Sequence, residues 1–189
     1  MKLGEVPSEF VLEISEGKFQ SSVDVEINKE IVDSSYDLII SIGQVVPHEV
    51  VGMANYNKNL FVGCGGKSMI DSSHYLGALY GMERMMGRDN SPVHKLFDYA
   101  EEHFLMDIPV MYCLTVTTTD SEDVVHVQSL ATGRSRDIFS ESIKVSQEHN
   151  LDFLDEPLEK VVVYLKPEEF RTTWVGNKAI YRTRMAMAD

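Results

Sequence analysis

The chain has 189 residues, 43% of them hydrophobic and 25% charged, which is enough to bury one good core and part of a second. Its formal net charge of −13, with no basic run, argues against nucleic acid and anionic membrane surfaces as partners; a small anionic substrate would need local cations such as Lys58 and Lys178. Cys64 and Cys113 are too few for a disulfide framework and lack zinc-site pairing, the N-terminus has no signal-type apolar core, and no apolar run approaches a membrane span, so a reducing, cytoplasmic location is expected.

Glu9 to Val25 alternates weakly and predicts strand or loop. Tyr36-Asp37-Leu38-Ile39-Ile40-Ser41-Ile42, closed by Gly43, is a nearly continuous branched-apolar run and predicts a strand buried on both faces of a helix-covered sheet. His48 then falls just past the carboxyl end of that strand, where open α/β sheets place their ligands. Asn59-Leu60-Phe61-Val62 predicts another short strand, followed by the glycine-rich turn Gly63-Cys64-Gly65-Gly66. A helix capped by Ser72 or Ser73 is expected next, with Tyr75, Leu79, Met82 and Met86 inward and Gly87 as its stop. That start would put His74 in the first turn, where the helix dipole favours a neutral, metal-ready imidazole.

Ser91 as cap, Pro92 at the first position, and Val93, Leu96, Phe97, Ala100 and Phe104 at helical spacing predict a further helix, with His94 and His103 as surface residues. Met111 to Thr118 and Val124 to Leu130 predict a hairpin with His126 on a strand face, followed by a helix around Arg136 to His149. After the polar stretch 150–159, Val161 to Leu165 predicts a buried strand and Asn177 to Ala188 a helix. The expected fold class is therefore α/β. A mixed sheet flanked by helices would occupy residues 1–152, and the start of a second α/β domain residues 153–189. A strand and helix of roughly thirty residues cannot enclose a core alone, so the chain is expected to be a piece of a longer protein.

Several familiar motifs are approached and missed. Gly66-Lys67-Ser68 lacks the upstream glycine of a phosphate-binding P-loop, because Phe61 stands there. His48-Glu49-Val50-Val51-Gly52 begins like a zinc-protease helix, but Gly52 replaces the second histidine. Gly63, Gly65 and Gly66 do not make a dinucleotide fingerprint.

His48, Lys58 and His74 remain: a base, an amine and a soft metal ligand in a glycine-rich stretch. Their spacing, together with Asp37 to Gly43, Pro47, Gly52 and Gly63, resembles the N-terminal domain core of the nickel-dependent lactate racemase family over most of residues 20–110. The resemblance implies a racemase or epimerase of 2-hydroxy acids that works by reversible hydride transfer to a covalently attached nickel-pincer nucleotide. In that scheme Lys58 forms a thioamide with the cofactor, His74 coordinates its nickel, and His48 is one of two general bases facing the substrate hydroxyl. Enzymes that make the cofactor are implied as partners. The family's second catalytic histidine lies upstream of the His48 position, before Met1, so the chain alone is expected to be inactive.

Two departures bear on substrate and completeness. Around the lysine the family has a glycine-rich run, whereas here the residues are Met53-Ala54-Asn55-Tyr56-Asn57-Lys58-Asn59. Asn55, Tyr56 and Asn57 could hydrogen-bond extra hydroxyls, which suggests a sugar acid such as an aldonate as well as lactate. Trp174-Val175-Gly176-Asn177-Lys178 resembles the family's substrate segment, with Lys178 at the position that meets the carboxylate and Val175 where a glutamine is usual. The competing readings are a non-catalytic cofactor- or metal-binding module without turnover, and a simple metal site built on His48 and His74.

Overall fold

The computed structural model describes residues 1–168, 171, 172, 176, 180 and 183–187. Strand β1 (Lys2–Val6) leads through helix α1 (Ser8–Ile14) to β2 (Val23–Glu26), which pairs antiparallel with β1. α1 falls where the sequence predicts strand or loop. It turns Val11 and Ile14 inward at i,i+3 spacing but is only seven residues long, too short for the helical period to stand out.

β3 (Ile39–Gln44) forms where the apolar run predicts it, but only one of its faces is covered. Ile39, Ser41 and Gly43 are partly buried, while Ile40 and Ile42 are 50% and 68% exposed. The hairpin β4 (Pro47–His48) and β5 (Gly52–Met53) follows at once. The strand predicted at Asn59–Val62 is instead a π-helical turn over Asn59–Gly63. Asn59 O accepts from Cys64 N at 2.9 Å, an i to i+5 bond, and the turn buries the adjacent pair Leu60 and Phe61 together. A strand would have sent them to opposite faces.

α2 (Lys67–Tyr80) starts five residues before the predicted Ser72 cap. Its first turn is satisfied by Glu26 of β2, whose Oε2 accepts from Ser68 N at 2.9 Å. The earlier start changes the buried face to Met69, Ser73, Leu76 and Gly77, leaves Tyr75 exposed, and ends the helix at Gly81 rather than Gly87. α3 (Pro92–Phe104) matches its prediction: Ser91 Oγ accepts from His94 N at 3.0 Å, and Val93, Leu96, Phe97 and Ala100 are buried. His103 is exposed as expected, but His94 is not a surface residue. It is 1% exposed, because the side of α3 that carries it is covered by β5 and by α4.

β6 (Val110–Thr119) and β7 (Val125–Gly133) form the predicted hairpin, and α4 (Arg136–Asn150) the predicted helix. The sheet order is β3-β6-β7, parallel between β3 and β6 and antiparallel between β6 and β7. This is a mixed sheet in an α/β fold. Tyr112, Leu114 and Val116 of β6 point inward beneath α4, where Phe139 and Ile143 meet them in the core. Val161 to Leu165 forms no strand: no described neighbour takes up its backbone groups, and Val162 and Tyr164 are over 80% exposed. The described residues of the predicted last helix, Ile180 and 183–187, are helical, whereas Trp174 and Lys178 lie outside the described residues. Among the described residues no helix is long and apolar enough to cross a membrane.

Candidate functional site

His48 ends β4 beside the carboxyl end of β3. Its Nδ1 accepts from the backbone N–H groups of Val50 and Val51 at 3.1 and 3.3 Å, so a neutral ring carries its proton on Nε2. Gly52 pairs with His48 across the hairpin at φ 103°, and a Cβ there would stand 2.5 Å from Arg88 O. Only glycine both adopts that backbone and permits the approach.

The turn carrying His48 rests on α2 close to His74. Gly77 lies three residues beyond His74 on the helix, and a Cβ at Gly77 would come within 2.7 Å of Val50 O. The His48 turn thus meets α2 about one helical turn from His74. His74 is in the middle of α2, not its first turn. The preceding turn sets its tautomer: Nδ1–H donates to Ile70 O at 2.7 Å, which leaves the Nε2 lone pair as the available ligand.

Lys58 opens the π-helical turn, whose next residue reaches β3: Asn59 Nδ2 donates to Ser41 Oγ at 3.3 Å. The three residues before it are locked into the protein. Asn55 and Tyr56 both have left-handed backbone, with φ of 80° and 58°. Asn55 Oδ1 accepts from Tyr56 N and Asn59 Nδ2 at 2.8 and 2.6 Å. The Tyr56 ring packs between Tyr112 and Phe139, with centroids 4.3 and 5.0 Å away, and its hydroxyl donates to Arg134 O at 2.8 Å. Asn57 Nδ2 donates to Asp98 Oδ1 at 2.7 Å. All three side chains are buried and turned into the protein, with Asn57 Oδ1 left without a hydrogen-bond partner. The expectation of extra hydroxyl contacts from them is corrected accordingly. Strained, over-determined backbone next to a reactive residue is a common feature of functional sites.

Behind that turn lies an ionic group that sequence reading missed. Asp98 Oδ2 accepts from Arg136 Nε at 3.2 Å, and Arg136 also pairs with Asp89, which accepts from Ser140 Oγ at 2.9 Å. Burial raises the Asp89 carboxyl, but the Arg136 hydrogen bond and charge outweigh it and hold the group below the usual carboxylate range. Glu101 shows the opposite balance: burial pushes its carboxyl up despite the bond from Tyr112 Oη at 2.9 Å and the charge of Arg134. The signal for this group was the acidic and basic residues flanking the buried stripes of α3 and α4.

No three His, Cys, Asp or Glu side chains among the described residues are grouped to hold a metal ion. Among the described residues the donor set does not favour a metal held by the protein alone. His74 Nε2 is one imidazole donor of the kind that a metal brought in by an organic ligand would take.

Residues 14–87 match the lactate racemase N-terminal domain, a span that contains His48, Lys58 and His74. No curated protein matches the chain. Among solved structures, the crystal structure of a protein from Thermotoga maritima superposes with a TM-score of 0.72 at 21% identity, covering 85% of this chain and 39% of that one. At that identity the likeness establishes the fold, and the chain spans well under half the length of that protein. The segment that presents the histidine pair and the lysine is thus similar to a lactate racemase N-terminal domain.

Proposed function

We propose that this chain is the part of a cytoplasmic 2-hydroxy acid racemase or epimerase, lactate racemase-like, that holds a nickel-pincer nucleotide. Lys58 is the amine of covalent attachment, His74 the nickel ligand through Nε2, and His48 the side chain facing the substrate's reacting oxygen. The bound cofactor supplies a reversible hydride acceptor. Lys178 would meet the substrate carboxylate, and the cofactor-making enzymes are the partners this reading requires. Residues 153–189 are read as the start of a second α/β domain, which is supported by the exposed apolar side chains Phe153, Val162 and Tyr164.

The observation that carries the proposal is the His74 bond to Ile70 O, which leaves the Nε2 lone pair for a ligand about one helical turn from where Gly77 meets Val50, within the matched span. A second reading, a cofactor-holding module without turnover, is favoured by His48 Nδ1 being engaged with Val50 and Val51. The test is to produce the longer reading frame with the cofactor-making enzymes and follow single enantiomers of lactate and of aldonates by chiral chromatography. Loss of optical purity that depends on His74 supports the enzyme. Retained optical purity in a nickel-loaded protein supports the module.

A further inference from the structure

We infer that Ser73 is a positioning residue for His74, holding the ring with Nδ1 on the Ile70 carbonyl and Nε2 left to the incoming metal; this inference rests on the function proposed above. Successive residues of a helix point about 100° apart and do not face each other. Ser73 and His74 meet because both reach back to one oxygen. The Ser73 hydroxyl donates to Ile70 O at 3.0 Å from three residues on, and His74 Nδ1–H donates to the same oxygen at 2.7 Å from four residues on. Ser73 Oγ and His74 Nδ1 are themselves 3.4 Å apart. A carbonyl oxygen has two lone pairs, and within α2 one of those on Ile70 faces the backbone N–H of His74. The two side chains share the other, and whenever the hydroxyl turns aside its own oxygen accepts from Nδ1–H.

Burial separates the two residues. Ser73 lies in the inward stripe Met69, Ser73, Leu76 and Gly77 and is 1% exposed, so water does not compete for its hydroxyl. His74 is only partly buried, so water does compete for Nδ1. Turning the ring over would set a C–H against Ile70 O and send Nδ1 to solvent. With two acceptors beside Nδ1, one of them shielded from water, that rotation loses two partners instead of one. An apolar side chain would serve the stripe as well, so what the hydroxyl adds is this second partner.

The test is nuclear magnetic resonance on the ¹⁵N-labelled chain without cofactor. Long-range proton–nitrogen spectra should show His74 protonated on Nδ1, in one ring orientation and with that proton shielded from solvent. Ser73→Ala should keep the backbone amide signals of α2, speed exchange of the His74 Nδ1–H about fivefold, the equivalent of one ordinary hydrogen bond, and populate the turned-over ring. Ser73→Thr, which restores the hydroxyl, should return both readings to those of the unaltered chain. Where Ser73→Thr fails to fold, Ser73→Cys takes its place: close to serine in size but a weak hydrogen-bonding group, it should behave as Ser73→Ala does. Five results overturn the inference: a His74 ring protonated on Nε2 in the unaltered chain, a Ser73→Ala ring that does not differ from it, α2 amide signals that shift together with the ring, a folded Ser73→Thr that behaves as Ser73→Ala, or a Ser73→Cys that matches the unaltered chain. A chain that shows the expected ring state but takes up no nickel nucleotide after maturation contradicts the proposed function and leaves the Ser73–His74 geometry intact.

Discussion

The two faces of the β3-β6-β7 sheet have similar apolar content but different fates. On one face Tyr112, Leu114 and Val116 are fully buried beneath α4, and the turn before Lys58 packs into the same layer through Tyr56. On the other, Ile40, Ile42, Val127 and Leu130 stand half or more exposed. Strand sequence alone does not distinguish them, since both faces alternate with branched residues. The difference is made by α4, which follows β7, joined by Tyr56 and Glu101 from the long connection between β3 and β6; that connection also carries β4, β5, α2 and α3, and with them every described residue of the proposed site.

The comparison can be broken most forcefully at Tyr112. Tyr112→Ala should cost about 3–5 kcal/mol, the range for an aromatic lost from a core, and should loosen Tyr56 at the same time. Urea unfolding measures it. Next in size is Asp98→Ala, which strips partners from both Asn57 and Arg136 and should cost about 1–3 kcal/mol in the same experiment. Its companion effect is an altered rate of Lys58 acetylation, read by peptide mass mapping.

Acid sensitivity gives a third, smaller effect on the covered side. Burial above all holds the His94 imidazole below its ordinary value, helped by the charge of Arg136 and opposed by the Met53 carbonyl, Asp98 and Asp89. The unfolded chain takes up a proton near pH 6.5 while the folded one resists, so stability should fall as pH drops below about 6.5. His94→Gln should flatten that part of the profile in thermal melts at stepped pH. On the open face, Val127→Thr should stay within about 0.5 kcal/mol of the unaltered chain. A cost comparable to Tyr112→Ala would mean that this face is covered in solution.

What could be read from sequence divides along the same physical line. α3 was legible because its cap, its proline and its stripe are local, and the β6–β7 hairpin because its turn residues sit between two alternating runs. α2 was misplaced because its first turn is satisfied by Glu26, 42 residues away, which no local pattern announces. The π-helical turn hid inside an apolar run that reads as strand. At the candidate site, the identities and spacing of His48, Lys58 and His74 were legible, but the tautomers of the two histidines were not. They depend on Ile70 O for His74 and on the amides of Val50 and Val51 for His48. His94 was misread because it adjoins the apolar stripe of α3 without being apolar, although its place one residue after Val93 and three before Phe97 marks a flank that a neighbouring element can cover.

Intact mass of the chain produced together with the cofactor-making enzymes, followed by peptide mapping, bears most directly on the proposed tether. A mass increase matching the pincer nucleotide, located on Lys58 and absent from Lys58→Ala, is the predicted result. An unmodified Lys58 in protein matured under conditions that load an authentic lactate racemase would contradict it.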